Sequence, residues 1–129
     1  MARILIVDID DTFIRTLCGE IANLGHEVTV ARTLHEGLAT ATSTACDVIF
    51  LNTLMPDGSG LDALPSMIAT SSYPEVIMLT DAADADQAEQ AIKMGAWDYV
   101  ERPVTARSMA LSLVRAVQYR ARKNQHQTY

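Results

Sequence analysis

The chain lacks most of what marks a secreted, membrane-bound or phosphate-loop protein. It holds two cysteines, Cys18 and Cys46, with neither the spacing of a metal site nor the density of a disulfide scaffold. They read as reduced thiols, and a cytoplasmic location is expected. No apolar run approaches the ~20 residues that a membrane span needs. The opening Met1-Ala2-Arg3-Ile4 has no signal-peptide character. Gly58-Ser59-Gly60 has neither the spacing nor the lysine of a phosphate loop, and no G-x-G-x-x-G occurs. His26, His35 and His126 are scattered and read as surface residues, not metal ligands. No serine sits in a nucleophile elbow. Acid is absent from residues 102–129, where six bases give +6, whereas residues 1–101 carry all 16 acids and four bases, a net of −12. The net charge of −6 speaks against direct nucleic-acid binding.

What is present fits one globular domain: 129 residues, 49% of them apolar. Short β-rich runs alternate with amphipathic segments. Strands are expected at 4–7, 28–30, 48–51, 76–79 and 97–100. Phe13, Leu17, Ile21 and Leu24 recur at helical spacing, with Gly25 placed to end that helix. Thr33 and Glu36 form a capping box for a second helix carrying Leu34, Leu38 and Ala41. Residues 55–60 are turn chemistry, and Leu61, Leu64 and Ile68 mark a third helix that Pro65 should delay or bend. An Ala-rich helix spans 84–94, and a fifth runs from Thr105 to about Arg122. Five β–α units predict a parallel sheet with helices on both faces, in strand order 2-1-3-4-5. The ligand crevice of that order lies beyond strands 1 and 3, where Asp8 and Asn52 stand. Thr80 and Arg102 end two further strands, so four polar side chains converge there. Arg102 stands opposite Asp8 and offers a fixed cation. Asp8, Asp10 and Asp11 could hold Mg²⁺, or could merely cap the helix that follows.

These motifs together resemble the receiver domains of two-component response regulators. Ile4-Leu5-Ile6-Val7-Asp8 resembles the first strand with its acidic end. Phe50-Leu51-Asn52, followed by Met55-Pro56-Asp57-Gly58-Ser59-Gly60-Leu61, resembles the phosphoacceptor strand and its loop. Met78-Leu79-Thr80 carries the switch threonine, Asp98-Tyr99-Val100 the switch aromatic, and Arg102-Pro103 replaces Lys-Pro. The likeness implies a flavodoxin-like (CheY-like) three-layer sandwich with a receiver over 1–122 and a linker or tail over 123–129. The run around Trp97 and the ending Arg115 to Arg120 further resemble N-terminal receivers of sigma-54-dependent transcription activators.

Measured against that family, three of five site positions are altered. Asn52 stands where an aspartate takes the phosphoryl group, Ile9 where a second acid helps to bind metal, and Arg102 where a lysine contacts phosphate. The resemblance therefore implies a degenerate receiver that does not phosphorylate at Asn52. No cofactor is required, and any Mg²⁺ would be held weakly by Asp8, the Asn52 side-chain oxygen and the Leu54 carbonyl. A further possibility is modification at a different residue: Asp8, Asp57 and Thr53 are near as alternatives for modification, but none holds the acceptor position. Implied partners are a sensor kinase or other signalling protein, an output domain of a longer chain, and a second copy bound through the 84–122 face. In that face Met109, Leu113, Ala116 and Val117 look inward, while Leu111, Val114 and Tyr119 point elsewhere. The cations Arg115, Arg120, Arg122 and Lys123 are placed to meet the acidic body of another chain. A second resemblance competes: Val7-Asp8-Ile9-Asp10-Asp11-Thr12 is similar to the first motif of haloacid-dehalogenase-like phosphatases. It implies an enzyme with Asp8 as nucleophile, Asp10 as acid–base group and Mg²⁺ between them.

Overall fold

The apolar runs form the strands because β-branched and leucine side chains alternate between two buried faces. The computed structural model describes residues 1–126, without the His126 side chain. The surface position expected of His126 and the end of the 123–129 tail thus lie outside the described residues. In chain order the elements are β1 (Arg3–Val7), α1 (Asp11–Asn23), β2 (Glu27–Ala31), α2 (Leu34–Ser43), β3 (Val48–Asn52), β4 (Leu54–Met55), β5 (Gly58–Ser59), α3 (Gly60–Ile68), β6 (Glu75–Thr80), α4 (Ala85–Lys93), β7 (Asp98–Glu101) and α5 (Ala106–His126). The main sheet is parallel in the order β2-β1-β3-β6-β7, which is the expected 2-1-3-4-5 once the small antiparallel β4–β5 pair is set aside.

Two cores flank the sheet. Leu5, Val7, Ile49, Leu51, Val76 and Met78 face α2, α3 and α4, while Ile4, Ile6, Phe50, Ile77 and Leu79 face α1 and α5. Met109, Leu113 and Ala116 of α5 belong to the second core. Among the described residues no helix is long and apolar enough to cross a membrane.

Pro65 does not delay α3, which begins at Gly60. Ser59 Oγ accepts from the Asp62 amide at 3.4 Å, and the Pro65 carbonyl still accepts from Ala69 at 3.0 Å. Proline forfeits one ladder bond, and the buried Leu61, Leu64 and Met67, each worth about 1.5–3 kcal/mol, outweigh it.

The last helix runs on to His126 with no Gly or Pro to stop it. Two of its four distal cations, Arg120 and Lys123, are already paired within this chain. Arg120 Nε bonds Asp47 Oδ1 at 3.0 Å, its Nη1 bonds Glu75 Oε2 at 3.0 Å, and Lys123 Nζ reaches Glu75 Oε1 at 2.9 Å. Arg120 also donates to the carbonyls of Ser72 and Tyr73. The reason is proximity: Glu75 opens β6 and Asp47 precedes β3, at the same end of the sheet that α5 reaches.

Near that end, His26 Nδ1 accepts from the Ala2 amide at 3.0 Å. Burial first, and the terminal ammonium second, lower the His26 pKa from 6.5, with Asp47 pulling the other way. The unfolded chain therefore binds the His26 proton more readily. We expect the contribution of this group to be complete above pH 6.5 and lost as pH falls through the lower folded value. Urea titrations between pH 7.5 and pH 5 should show a shallower acid loss in His26→Gln than in the native chain; equal slopes would contradict the assignment.

Candidate functional site

The chain crosses from one side of the sheet to the other between β1 and β3, and the side chains just beyond that point meet. Val7 pairs with Leu51 in register, so Asp8 and Asn52 emerge side by side. Asn52 Nδ2 donates to Asp8 Oδ1 at 2.9 Å, and Asn52 Oδ1 accepts from the Leu54 amide at 3.2 Å. The amide orientation is fixed by chemistry, since a carboxylate only accepts and a backbone N–H only donates. Asp8 Oδ1 also accepts from the Ile9 amide at 2.7 Å, and more weakly from Asp10 at 3.4 Å. Asp8 is fully buried.

The third member arrives from β7. Glu101 pairs with Thr80, and the Arg102 amide donates to the Thr80 carbonyl at 2.7 Å. This aims the Arg102 side chain across the sheet end. Its Nη1 bonds Asp8 Oδ2 at 2.5 Å, while Nε and Nη2 grip Asp81 Oδ1 and Oδ2 at 3.0 and 3.2 Å. Its guanidinium carbon lies 5.2 Å from the centre of the Phe13 ring. Burial alone would lower its pKa, but the bond to Asp81 and the charge of Asp8 raise it beyond the ordinary arginine value. No buried side-chain polar atom among the described residues lacks a partner.

Thr80 and Tyr99 stand apart from this cluster. The Thr53 hydroxyl donates to Thr80 Oγ1 at 3.0 Å, and Thr80 Oγ1 also accepts from the Ala82 amide at 3.2 Å. Tyr99, half-buried, turns its hydroxyl toward Gln87 Oε1 of α4 at 3.4 Å. Asp81 is the partner that sequence patterns do not single out, and Thr53, marked there only as an alternative for modification, is the partner of Thr80. A polar residue one position beyond each of Asn52 and Thr80 was the available signal.

The neighbouring acids are occupied elsewhere. Asp10 caps α1, accepting from the Phe13 amide at 3.1 Å, and Asp11 pairs with Arg32. Asp57 accepts from the amides of Leu34 and His35 at 2.8 and 3.0 Å, tying the β3–α3 loop to the start of α2. Those two backbone bonds lower its pKa. The phosphatase arrangement of Asp8 and Asp10 does not form: Asp8 is neutralised by Arg102, and Asp10 turns to its helix.

The residues present do not fit a divalent cation. Asp8 is already neutralised by Arg102, the Asn52 oxygen is uncharged and turned to the Leu54 amide, and the Ile9 side chain offers no ligand atom. Among the described residues no group of three or more His, Cys, Asp or Glu is placed to hold a metal. A cleft of about 480 Å³, walled by Phe13, Asp81, Arg102 and Val104, opens between α1 and the segment leading into α5, and Asn52 does not line it.

Comparison with known proteins supplies the family context. The family model described as response regulator receiver domain matches residues 4–114. The chain is 32% identical over 123 residues to the regulatory protein AtoC of Escherichia coli, covering 95% of this chain and 27% of that one. It is 32% identical over 120 residues to protein PilH of Pseudomonas aeruginosa, covering 91% and 98%. In fold it matches a CheY-like receiver domain protein from Methanospirillum hungatei with a TM-score of 0.89 at 24% identity, covering 95% and 98%. The chain spans little more than half, or less, of several other curated regulators that it matches.

Proposed function

Because the chain belongs to the response regulator receiver domain family of two-component signalling, we propose that it is a cytoplasmic receiver module that works without a phosphoryl group on residue 52. The observation that carries this reading is the state of Asn52. Phosphoryl transfer to a receiver needs an anionic oxygen free to attack phosphorus. The Asn52 oxygen is uncharged and bound to the Leu54 amide, and its nitrogen is committed to Asp8. Asp8 itself is buried and ion-paired. Regulation then runs through contacts with other proteins, and the domain catalyses no reaction of its own.

The test is incubation with acetyl phosphate and Mg²⁺, followed by intact mass. No species heavier by one phosphoryl group is expected. A substantial one that hydroxylamine removes would sink the reading.

The contact surface we favour is the 84–122 face. Leu111 is 59% exposed and Val114 half-buried, both on α5. Tyr119, 42% exposed, packs against Trp97 with ring centres 4.7 Å apart and the planes tilted by 38°. Partners for this face are a second copy, an output domain of a transcription regulator, and a sensor kinase or other signalling protein; DNA is not among them. We expect light scattering to show a dimer that Leu111→Glu/Val114→Glu converts to monomer. A native chain that stays monomeric at high concentration would remove the dimer from this account.

A further inference from the structure

Resting on the receiver reading, we infer that Arg102 is the resident cation of this site. Its guanidinium takes the place beside Asp8 that a divalent ion fills in a metal-dependent receiver, and it fixes the β6–α4 loop without metal.

A fully buried carboxylate must be neutralised, and the cation paired with Asp8 is Arg102, itself 7% exposed at the side chain. The planar fork of arginine suits this place better than a lysine would. One arm serves Asp8, and the opposite edge binds both oxygens of Asp81. The ring of Phe13 lies against one face. The guanidinium is thus held by two carboxylates and one aromatic ring from three separate segments.

A Mg²⁺ ion approaching Asp8 would have to displace that arm and then sit beside a retained positive charge. It demands near-octahedral oxygen ligands and sheds water reluctantly. Ile9 supplies none, and the Asn52 oxygen already accepts from Leu54.

The grip on Asp81 extends the effect. Asp81 follows Thr80 directly, and three residues later Asp84 caps α4. The Arg102 amide holds the Thr80 carbonyl as well. Glu101, the neighbour of Arg102, accepts from the Ala83 amide at 2.8 Å. The end of β7 therefore holds the end of β6 at Thr80 and the loop that leads into α4 at Asp81 and Ala83, all by groups of the chain itself.

The competing explanation is simpler: Ile9 removes a metal ligand, and Arg102 is incidental. The two diverge in Ile9→Asp. If the missing acid were the whole cause, that change alone would create Mg²⁺ binding. If Arg102 occupies the place, Ile9→Asp stays poor, and only Ile9→Asp/Arg102→Lys gains affinity.

Calorimetric titration of the full chain with Mg²⁺, and with Mn²⁺ as a second probe, should show the double variant binding at least about tenfold more tightly than Ile9→Asp. A double variant that binds no more tightly than Ile9→Asp overturns the proposal. The native chain supplies a readout free of any variant: its Tm should be unchanged by about 10 mM Mg²⁺, and a clear rise would also overturn it. Hydrogen exchange of residues 81–84 should be insensitive to Mg²⁺ in the native chain and faster in Arg102→Lys. Unchanged exchange in that variant overturns the loop part. None of these readouts depends on whether residue 52 accepts a phosphoryl group, so this proposal and the functional reading fail separately.

Discussion

Arg102→Ala is expected to lower the unfolding free energy by about 3–5 kcal/mol, a large share of what holds a domain of this size together. The loss comes from the Asp8 charge left behind more than from the arginine contacts removed. Asp8 is fully buried, and its charge partner is Arg102. Asp81 adds little to the loss, because that carboxylate is largely exposed and water replaces its partner. The paired variant Asp8→Asn/Arg102→Met separates the causes. It removes both charges while leaving an acceptor for the Ile9 amide, and it should be clearly more stable than Arg102→Ala alone. Urea denaturation of the three chains measures this. A single variant that loses less than about 1 kcal/mol would place the pair in the class of solvated surface bridges.

Gly60→Ala should cost about 3 kcal/mol or more. A Cβ built on Gly60 falls on the main-chain carbonyl of Asn52 and lies 3.2 Å from the Thr53 Cα. These are backbone atoms and cannot rotate aside. They are also held in place, because the Gly60 amide donates to the Thr53 carbonyl at 2.8 Å. The end of β3, and Asn52 with it, must shift to admit a methyl group. Gly19 is the control: a Cβ there meets nothing within 4 Å in the middle of α1. Gly19→Ala should therefore stabilise by about 0.5–1 kcal/mol, since alanine is the better helix former. Thermal and chemical unfolding should move in opposite directions for the two substitutions. If Gly60→Ala unfolds like the native chain, the close approach at the strand end is wrong.

Much of the fold was legible because the central strands are short runs such as Val48-Ile49-Phe50-Leu51, buried on both faces and bounded by polar turns. Such runs admit few alternatives once five of them alternate with amphipathic segments. The convergence of Asp8, Asn52, Thr80 and Arg102 on one end of the sheet followed from the strand order alone. What the order does not carry is which side chain turns to which. Thr80 shares the sheet end but bonds Thr53, so proximity in topology did not bring it into the Asp8 cluster. Asp81 was hidden because nothing local separates a loop aspartate in water from one that holds a guanidinium. Arg120 and Lys123 read as cations for another chain because a sequence displays charge but not its partner, and Glu75 lies 45 and 48 residues away. Asp57 bridges to α2 for the same reason, over 23 residues. The passage of α3 through Pro65 depends on burial of its neighbours, which outweighs a local preference.

The uneven distribution of charge along the chain has a consequence for biosynthesis. A ribosome releases the acidic 101 residues first, and they include Asp8 and Glu75, which end buried. Their cations, Arg102, Arg120 and Lys123, all lie in the segment made afterwards. The emerging sheet thus carries two carboxylates that stay hydrated until their cations leave the exit tunnel, Arg102 just after β7 and Arg120 and Lys123 with the last helix, so the two ends of the sheet close one after the other, late in the translation of this segment. Until then the nascent chain is a polyanion, repelled by ribosomal RNA of the same sign, and the delay passes with little adhesion to the surface that makes it.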